Sequence, residues 1–307
     1  MISMPQCPLC TGPHVSPYAT AQDIEYFTTP DAFTFYRCEG CDVLFLHPMP
    51  SHRLGEIYPK NYYSFHVSSD RSIAKRIKQF LDDRTFVALT RDVKGTSLTA
   101  LDVGGGSGWL LNDLKRAEPR VHRTTVVDID PRAEEIALAN GHDYHLTTFE
   151  QFDTNERFDI ILMLNLIEHV TDPLAVLRKA KELLRPGGRI WIKTPNYDAL
   201  DARIFKSRSW GGFHTPRHFV LFTKSSLIRH CEAAGFTVAS CSYTQGAPFW
   251  TVSAINELRK LGLATVTAAR PSIENPLTPV FHIIFAALDF LRMPFAKTSQ
   301  VNIHLTV

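Results

Sequence analysis

Apolar and polar positions follow two rhythms through the middle of this chain. Short runs, Leu101-Asp102-Val103, Thr124–Asp128, Phe158–Leu164 and Arg189–Lys193, are each joined to the next by stretches of helical spacing. Runs this short and apolar read as strands covered on both faces, and their alternation with helices predicts a parallel sheet inside an α/β fold. One helix begins at Trp109. A second begins at Pro131 behind a capping Asp130, and a third, Leu174–Leu184, follows Thr171-Asp172-Pro173; an acid or hydroxyl before proline is a helix-start signal. Beyond residue 194 the pattern predicts short helix Asp198–Phe205, helix Lys224–Ala234 and strands Phe236–Tyr243 and Ser299–Val307. Phe33–Cys38 also alternates like a strand. Ser72–Arg91, Phe249–Leu263 and Pro279–Met293 have helical spacing.

The first of these strands ends in Gly104, Gly105, Gly106 and Gly108. Such a turn lets a ligand lie on bare backbone, and the helix behind it offers unpaired N–H groups. A dinucleotide fingerprint would need its third glycine at position 109, which is Trp109. Asp102 sits two residues before the first glycine; a carboxylate there suits a cationic nucleoside and repels a pyrophosphate. Asp128 lies 20 residues past Gly108, the separation at which an acid reaches ribose hydroxyls in βαβ folds.

The residues Asp102-Val-Gly-Gly-Gly-Ser-Gly108, Val127-Asp128, Phe158-Asp159, Glu168-His169-Val170 and Leu184-Arg-Pro-Gly-Gly188 together resemble a class I S-adenosylmethionine-dependent methyltransferase over residues 96–242. The resemblance implies a Rossmann-like sheet of seven strands, the last antiparallel, with the methyl donor across the carboxyl ends of its first strands. It places Gly104, Gly105, Gly106 and Gly108 at the methionine tail, Asp102 at its amino group and Asp128 at the ribose. Thr148 and Phe149 fall near the adenine, Asn165 near the methionine part, and Ile129, next to Asp128, belongs to the same donor-binding set.

Methyl transfer to a hydroxyl needs a base. His169, His214 and His218 compete for that role. His218 stands in Arg217-His218-Phe219-Val220-Leu221-Phe222, which resembles the acid-His-Phe-Phe-Leu-Phe stretch of bacterial sugar C-methyltransferases, where the histidine is catalytic; here arginine replaces the acid. Arg217 is read as a phosphate holder, and Trp210, Phe213, Phe219 and Phe222 as a sugar-stacking wall. Tyr62 and Tyr63 belong to a segment, Tyr58–Phe65, that resembles the link between ribbon and core in those enzymes and could reach the active site.

Cys7-Pro-Leu-Cys10 and Cys38-Glu-Gly-Cys41 are two C-x-x-C pairs with 27 residues between them. Four thiolates so arranged suit a structural tetrahedral Zn2+. The domain reading is a zinc ribbon over 1–60, a helical linker or lid over 61–95, the donor-binding core over 96–246 and 298–307, and a helical insertion over 247–297. The 279–293 helix is apolar on much of its circumference and reads as packing on the core, on a second copy, or on a membrane or lipid-linked substrate. Net charge is +2 over 307 residues, too small a field to imply nucleic acid. The start lacks signal-peptide character, so a cytoplasmic protein is expected. The functional expectation is methylation of a small-molecule or glycan-precursor acceptor, a nucleotide- or lipid-linked sugar foremost. The alternatives are a quinone or other lipid-like or natural-product acceptor, or a non-catalytic S-adenosylmethionine-binding module.

Overall fold

The computed structural model describes residues 5–62, 73–207 and 209–307, with the backbone alone for 73–78. Near the N-terminus the chain lays down three antiparallel strands, β1 (Val15–Ala21), β2 (Phe33–Cys38) and β3 (Val43–His47). β1 and β2 form a hairpin that fills the gap between the two cysteine pairs. A short helix, α1 (Leu54–Ile57), and a long one, α2 (Ile73–Thr90), lead to the central sheet.

The central unit alternates as the sequence pattern requires: β4 (Leu98–Val103), α3 (Trp109–Ala117), β5 (Val121–Asp128), α4 (Pro131–Ala139), β6 (Asp143–Leu146), β7 (Phe158–Leu164), α5 (Pro173–Leu183) and β8 (Leu184–Pro195). Asp130 and Asp172 cap α4 and α5, each accepting a backbone N–H from the first turn. Arg185–Gly188 does not separate helix from strand by a loop. The backbone of β8 starts at Leu184 and runs through it. Then come α6 (Leu200–Phe205), β9 (Val220–Phe222), α7 (Lys224–Ala233), β10 (Thr237–Thr244), α8 (Ala247–Lys260), α9 (Thr278–Arg292) and β11 (Gln300–Thr306). The large sheet has the order β10-β11-β8-β7-β4-β5-β6. β4 to β8 run parallel, and β11 pairs antiparallel with both β8 and β10. This is the seven-stranded architecture expected.

The small strand β9 belongs to the other sheet. It pairs antiparallel with β3, Val43 opposite Phe222 and Phe45 opposite Val220, so the N-terminal sheet is four-stranded, β1-β2-β3-β9. Apolar packing is continuous across the join: Phe35, Phe45 and Cys38 share one core with Phe219, Leu221, Met163 and Ile192. α8 and α9 pack together, with Trp250 stacked on Phe285 at 5.2 Å. The outer face of α9 leaves Ile283, Phe290 and Leu291 exposed. Among the described residues no helix is long and apolar enough to cross a membrane.

Candidate active site

The carboxyl ends of β4 and β5 build a cradle around one acid. Asp102 is buried, and its Oδ2 has no hydrogen-bond partner. Burial, with the nearby Asp128 carboxylate, pushes its pKa well above the carboxylate range. A carboxylate so placed calls for a cation, and the ammonium of a methionine tail supplies one. Gly105 lies directly on it: a Cβ there would come within 2.5 Å of the Asp102 Cγ. Gly108 has φ +74°, and a Cβ on it would meet His142 at 2.3 Å, so the turn into α3 tolerates no side chain. Asp128, at the tip of β5, accepts the Gly106 N–H at 2.8 Å and the Asp130 N–H at 3.0 Å. One carboxylate thus ties the glycine turn to the next loop. The residues fit the donor.

Three histidines gather beyond β7. A Cβ added to Gly104, in the glycine turn, would come to 3.0 Å from Leu166 Cδ1; Glu168 and His169 follow two and three residues later. Glu168 is fully buried, and its Oε2 accepts the Thr194 hydroxyl at 2.9 Å while Oε1 has no partner. Burial raises its pKa to about 8. The His169 and His218 rings stand 4.6 Å apart, and His214 lies 4.9 Å from His218. His218 Nδ1 is 2.8 Å from the Gly212 carbonyl and His169 Nδ1 is 3.1 Å from the Arg217 carbonyl. A carbonyl only accepts, so the His218 Nδ1 carries the proton and its Nε2 carries a lone pair. Burial holds His169 at about pKa 3 and His218 well below its ordinary value. Both imidazoles are neutral at pH 7.

The N-terminal sheet and the segment after it complete this chamber. Glu25 accepts from His214 Nδ1 at 2.6 Å, and the Tyr62 hydroxyl meets His214 Nε2 at 3.0 Å. The Tyr58 hydroxyl lies 2.9 Å from His169 Nδ1. Away from the chamber, the thiols of Cys7 and Cys41 are 3.5 Å apart and those of Cys10 and Cys38 3.4 Å. All four sulfurs lie within 4.8 Å of one another. A disulfide needs about 2.05 Å, whereas four thiolates at about 2.3 Å from one zinc stand roughly 3.8 Å apart. The set fits that ion.

A profile described as a methyltransferase domain matches residues 71–240, and that stretch includes both the donor cradle and the histidine chamber. The chain belongs to the class I S-adenosylmethionine-dependent methyltransferases. Among its relatives, a ubiquinone biosynthesis O-methyltransferase from Nitrobacter winogradskyi is 31% identical over 203 residues, covering 57% of this chain and 73% of that protein. Another of the same name, from Rhodopseudomonas palustris, is 29% identical over 194 residues, covering 56% and 72%. Among solved structures, coclaurine N-methyltransferase bound to N-methylheliamine and S-adenosylhomocysteine has a TM-score of 0.50 at 12% identity, covering 79% of this chain and 76% of that one. That likeness is one of fold.

Within this methyltransferase the structure brings Asp102, Gly104, Gly105, Gly106, Gly108 and Asp128 together, with exposed Ile129 beside them. Asn165 stands just past β7 with φ +54°, and its side-chain oxygen accepts from Gln300. Thr148 is half-buried, whereas Phe149 is buried in the main core beneath Lys179. Tyr63 lies outside the described residues. Two expectations change. Arg217 is no phosphate holder: it is fully buried, donates to Asp23 at 2.8 Å and to the Ile57 carbonyl at 2.6 Å, and lies over the Tyr26 ring. Trp210, Phe213, Phe219 and Phe222 are all buried in the core, Phe213 stacked on Phe35, so they form no open wall for a sugar. The sequence pattern did not single out Asp23, Glu25 or Tyr58. They lie 111 to 194 residues from their partners, and no local spacing reports such a contact.

Proposed function

We propose that this methyltransferase transfers the methyl group of S-adenosylmethionine to a hydroxyl of a small aromatic acceptor of the phenol or quinol type. The observation that carries this reading is the pair of neutral imidazoles, His169 and His218, with rings 4.6 Å apart and the His218 Nε2 4.0 Å from the buried Glu168 Oε1. Imidazoles held this far below their ordinary pKa are weak proton acceptors. A phenol, with a pKa of about 10, yields its proton to a weak acceptor far more readily than a sugar alcohol does. The ubiquinone O-methyltransferase names of the relatives support the same acceptor class over a glycan precursor.

In this reading Asp102 binds the donor's ammonium, Asp128 the ribose, and the glycine turn the tail between them. S-adenosylmethionine supplies an electrophilic methyl group. His218 orients the acceptor hydroxyl, and the closed wall of Tyr58, Tyr62 and His214 keeps water away. Wild-type protein, donor and a catechol-type probe should give a methyl ether, detected by mass spectrometry. His218→Ala should lower that rate by ~10²-fold while S-adenosylhomocysteine affinity stays within about twofold. Methylation of a nucleotide-sugar probe with none of the phenol would reject the phenolic acceptor. We also propose a structural zinc on Cys7, Cys10, Cys38 and Cys41; metal analysis should find it bound through those four residues.

A further inference from the structure

We infer that Tyr62 holds the acceptor's place: its phenol fills the slot that a phenolic acceptor enters, and the acceptor binds by displacing it from His214. This rests on the phenolic reading above and deepens it by giving the acceptor a defined subsite. His214, His218 and Tyr62 are all buried. An acceptor that reaches His218 must therefore displace part of the wall that covers it. Tyr62 is the part of that wall with the chemistry of the acceptor itself.

The surroundings of Tyr62 are those of a phenol site. Its hydroxyl lies 3.0 Å from His214 Nε2, and His214 Nδ1 donates to Glu25 at 2.6 Å. A carboxylate only accepts, so Nδ1 carries a proton and the Nε2 of the neutral ring accepts from the hydroxyl. Glu25 thereby fixes the tautomer and the ring orientation that receive a phenolic O–H. The His214 backbone is held at φ +39°, a left-handed conformation that costs energy in any residue but glycine and clusters at ligand clamps. Around the Tyr62 ring, Tyr26 lies at 5.5 Å and Tyr58 edge-on at 5.0 Å, and the Arg217 guanidinium is 5.9 Å from the ring centre. Aromatic rings and a guanidinium packed about one planar ring suit any small planar phenol. The walls are tied down independently of their occupant. Arg217 donates to Asp23 and to the Ile57 carbonyl, and Asp23 accepts the Tyr26 N–H at 2.9 Å.

Tyr62 comes from a turn, not from a strand or helix. Its N–H donates to the Pro59 carbonyl at 3.0 Å. The turn is anchored on its other side, where Asn61 Nδ2 donates to the Ala268 carbonyl at 3.0 Å and the Lys60 carbonyl accepts from Arg132. The backbone thus stays pinned while the Tyr62 side chain swings out, and the entering acceptor closes the wall in its stead. The test uses the full chain, zinc-loaded and saturated with S-adenosylhomocysteine, titrated with catechol in a calorimeter. Tyr62→Phe keeps the ring and loses the hydroxyl that competes for His214. It should bind catechol at least ~3-fold more tightly than the wild type, because a hydrogen bond of ordinary worth no longer has to be broken. Unchanged S-adenosylhomocysteine affinity would show that the variant is folded. A purely structural Tyr62 would give equal or weaker catechol binding in the variant, and that result would overturn the inference. A second readout needs no variant: fluorine NMR of the protein with fluorotyrosine placed at position 62 alone. Catechol should move that resonance toward its position in the unfolded chain. A resonance that stays in place while catechol binds would overturn the displacement and leave the phenolic reading intact. Catechol that binds neither protein would reject the phenolic reading, and the inference with it.

Discussion

At the scale of single residues, two acids have opposite electrostatic problems. Asp102 is buried without a partner for Oδ2, and Asp128 is committed to two loop amides. Asp128→Ala removes the tie that holds the glycine turn and the carboxylate proposed to take the ribose. Calorimetry with S-adenosylhomocysteine should show a loss of roughly 1.5–3 kcal/mol, the size of hydrogen bonds to a charged group. Asp23 is different, being buried against Arg217. Desolvation alone would raise its pKa, but the guanidinium and the Tyr26 and Thr28 amides outweigh burial and lower it from 3.8 to about 2. A depressed carboxylate stabilises the fold above its unfolded pKa, and that stability is lost as pH falls through about 2 to 4. The difference is worth roughly 2–3 kcal/mol. Asp23→Asn should cost about 3 kcal/mol in urea unfolding at pH 7 and flatten the loss of stability at acid pH. Asp102 and Asp128 were legible because strand, glycine turn and acid are adjacent in sequence. Asp23, paired with an arginine 194 residues away, was not.

At the scale of elements, the least visible one, β9, has the widest effect. Its three residues read in sequence as part of an aromatic stretch. Their strand character comes from β3, which supplies the hydrogen-bonding edge. β9 starts two residues after His218 and ends at Phe222, directly before Thr223, the cap of α7. The alternating strands and capped helices of the central unit needed no such partner, so their pattern was readable locally. The coupling predicts that Cys38→Ser, by loosening β2 and β3, frees β9 and with it His218. Acceptor methylation should fall at least ~10-fold while donor affinity stays within about twofold. Equal losses of both, measured by turnover and calorimetry, would show that the cysteine site supports the whole fold without preference.

At the scale of the whole molecule, one apolar core runs from Cys7 and Phe35 to Leu305. Calorimetric unfolding of the zinc-loaded protein should give one transition, because the two sheets share one apolar core and β9, from the C-terminal half, pairs with β3. Chelation should shift that transition downward; a separate low-temperature peak would contradict shared cooperativity. The seam between the sheets also divides the chemistry. The residues proposed to hold the donor's tail and ribose, Asp102, the glycine turn and Asp128, hang on β4 and β5. Much of what shapes the acceptor chamber, Glu25, Tyr58, Tyr62 and the anchorage of His218, comes from the N-terminal half or is pinned by it. Acceptor choice can therefore drift without disturbing the donor pocket. Grafting the first 62 residues of a relative that uses another acceptor should retool what is methylated while the donor affinity carries over.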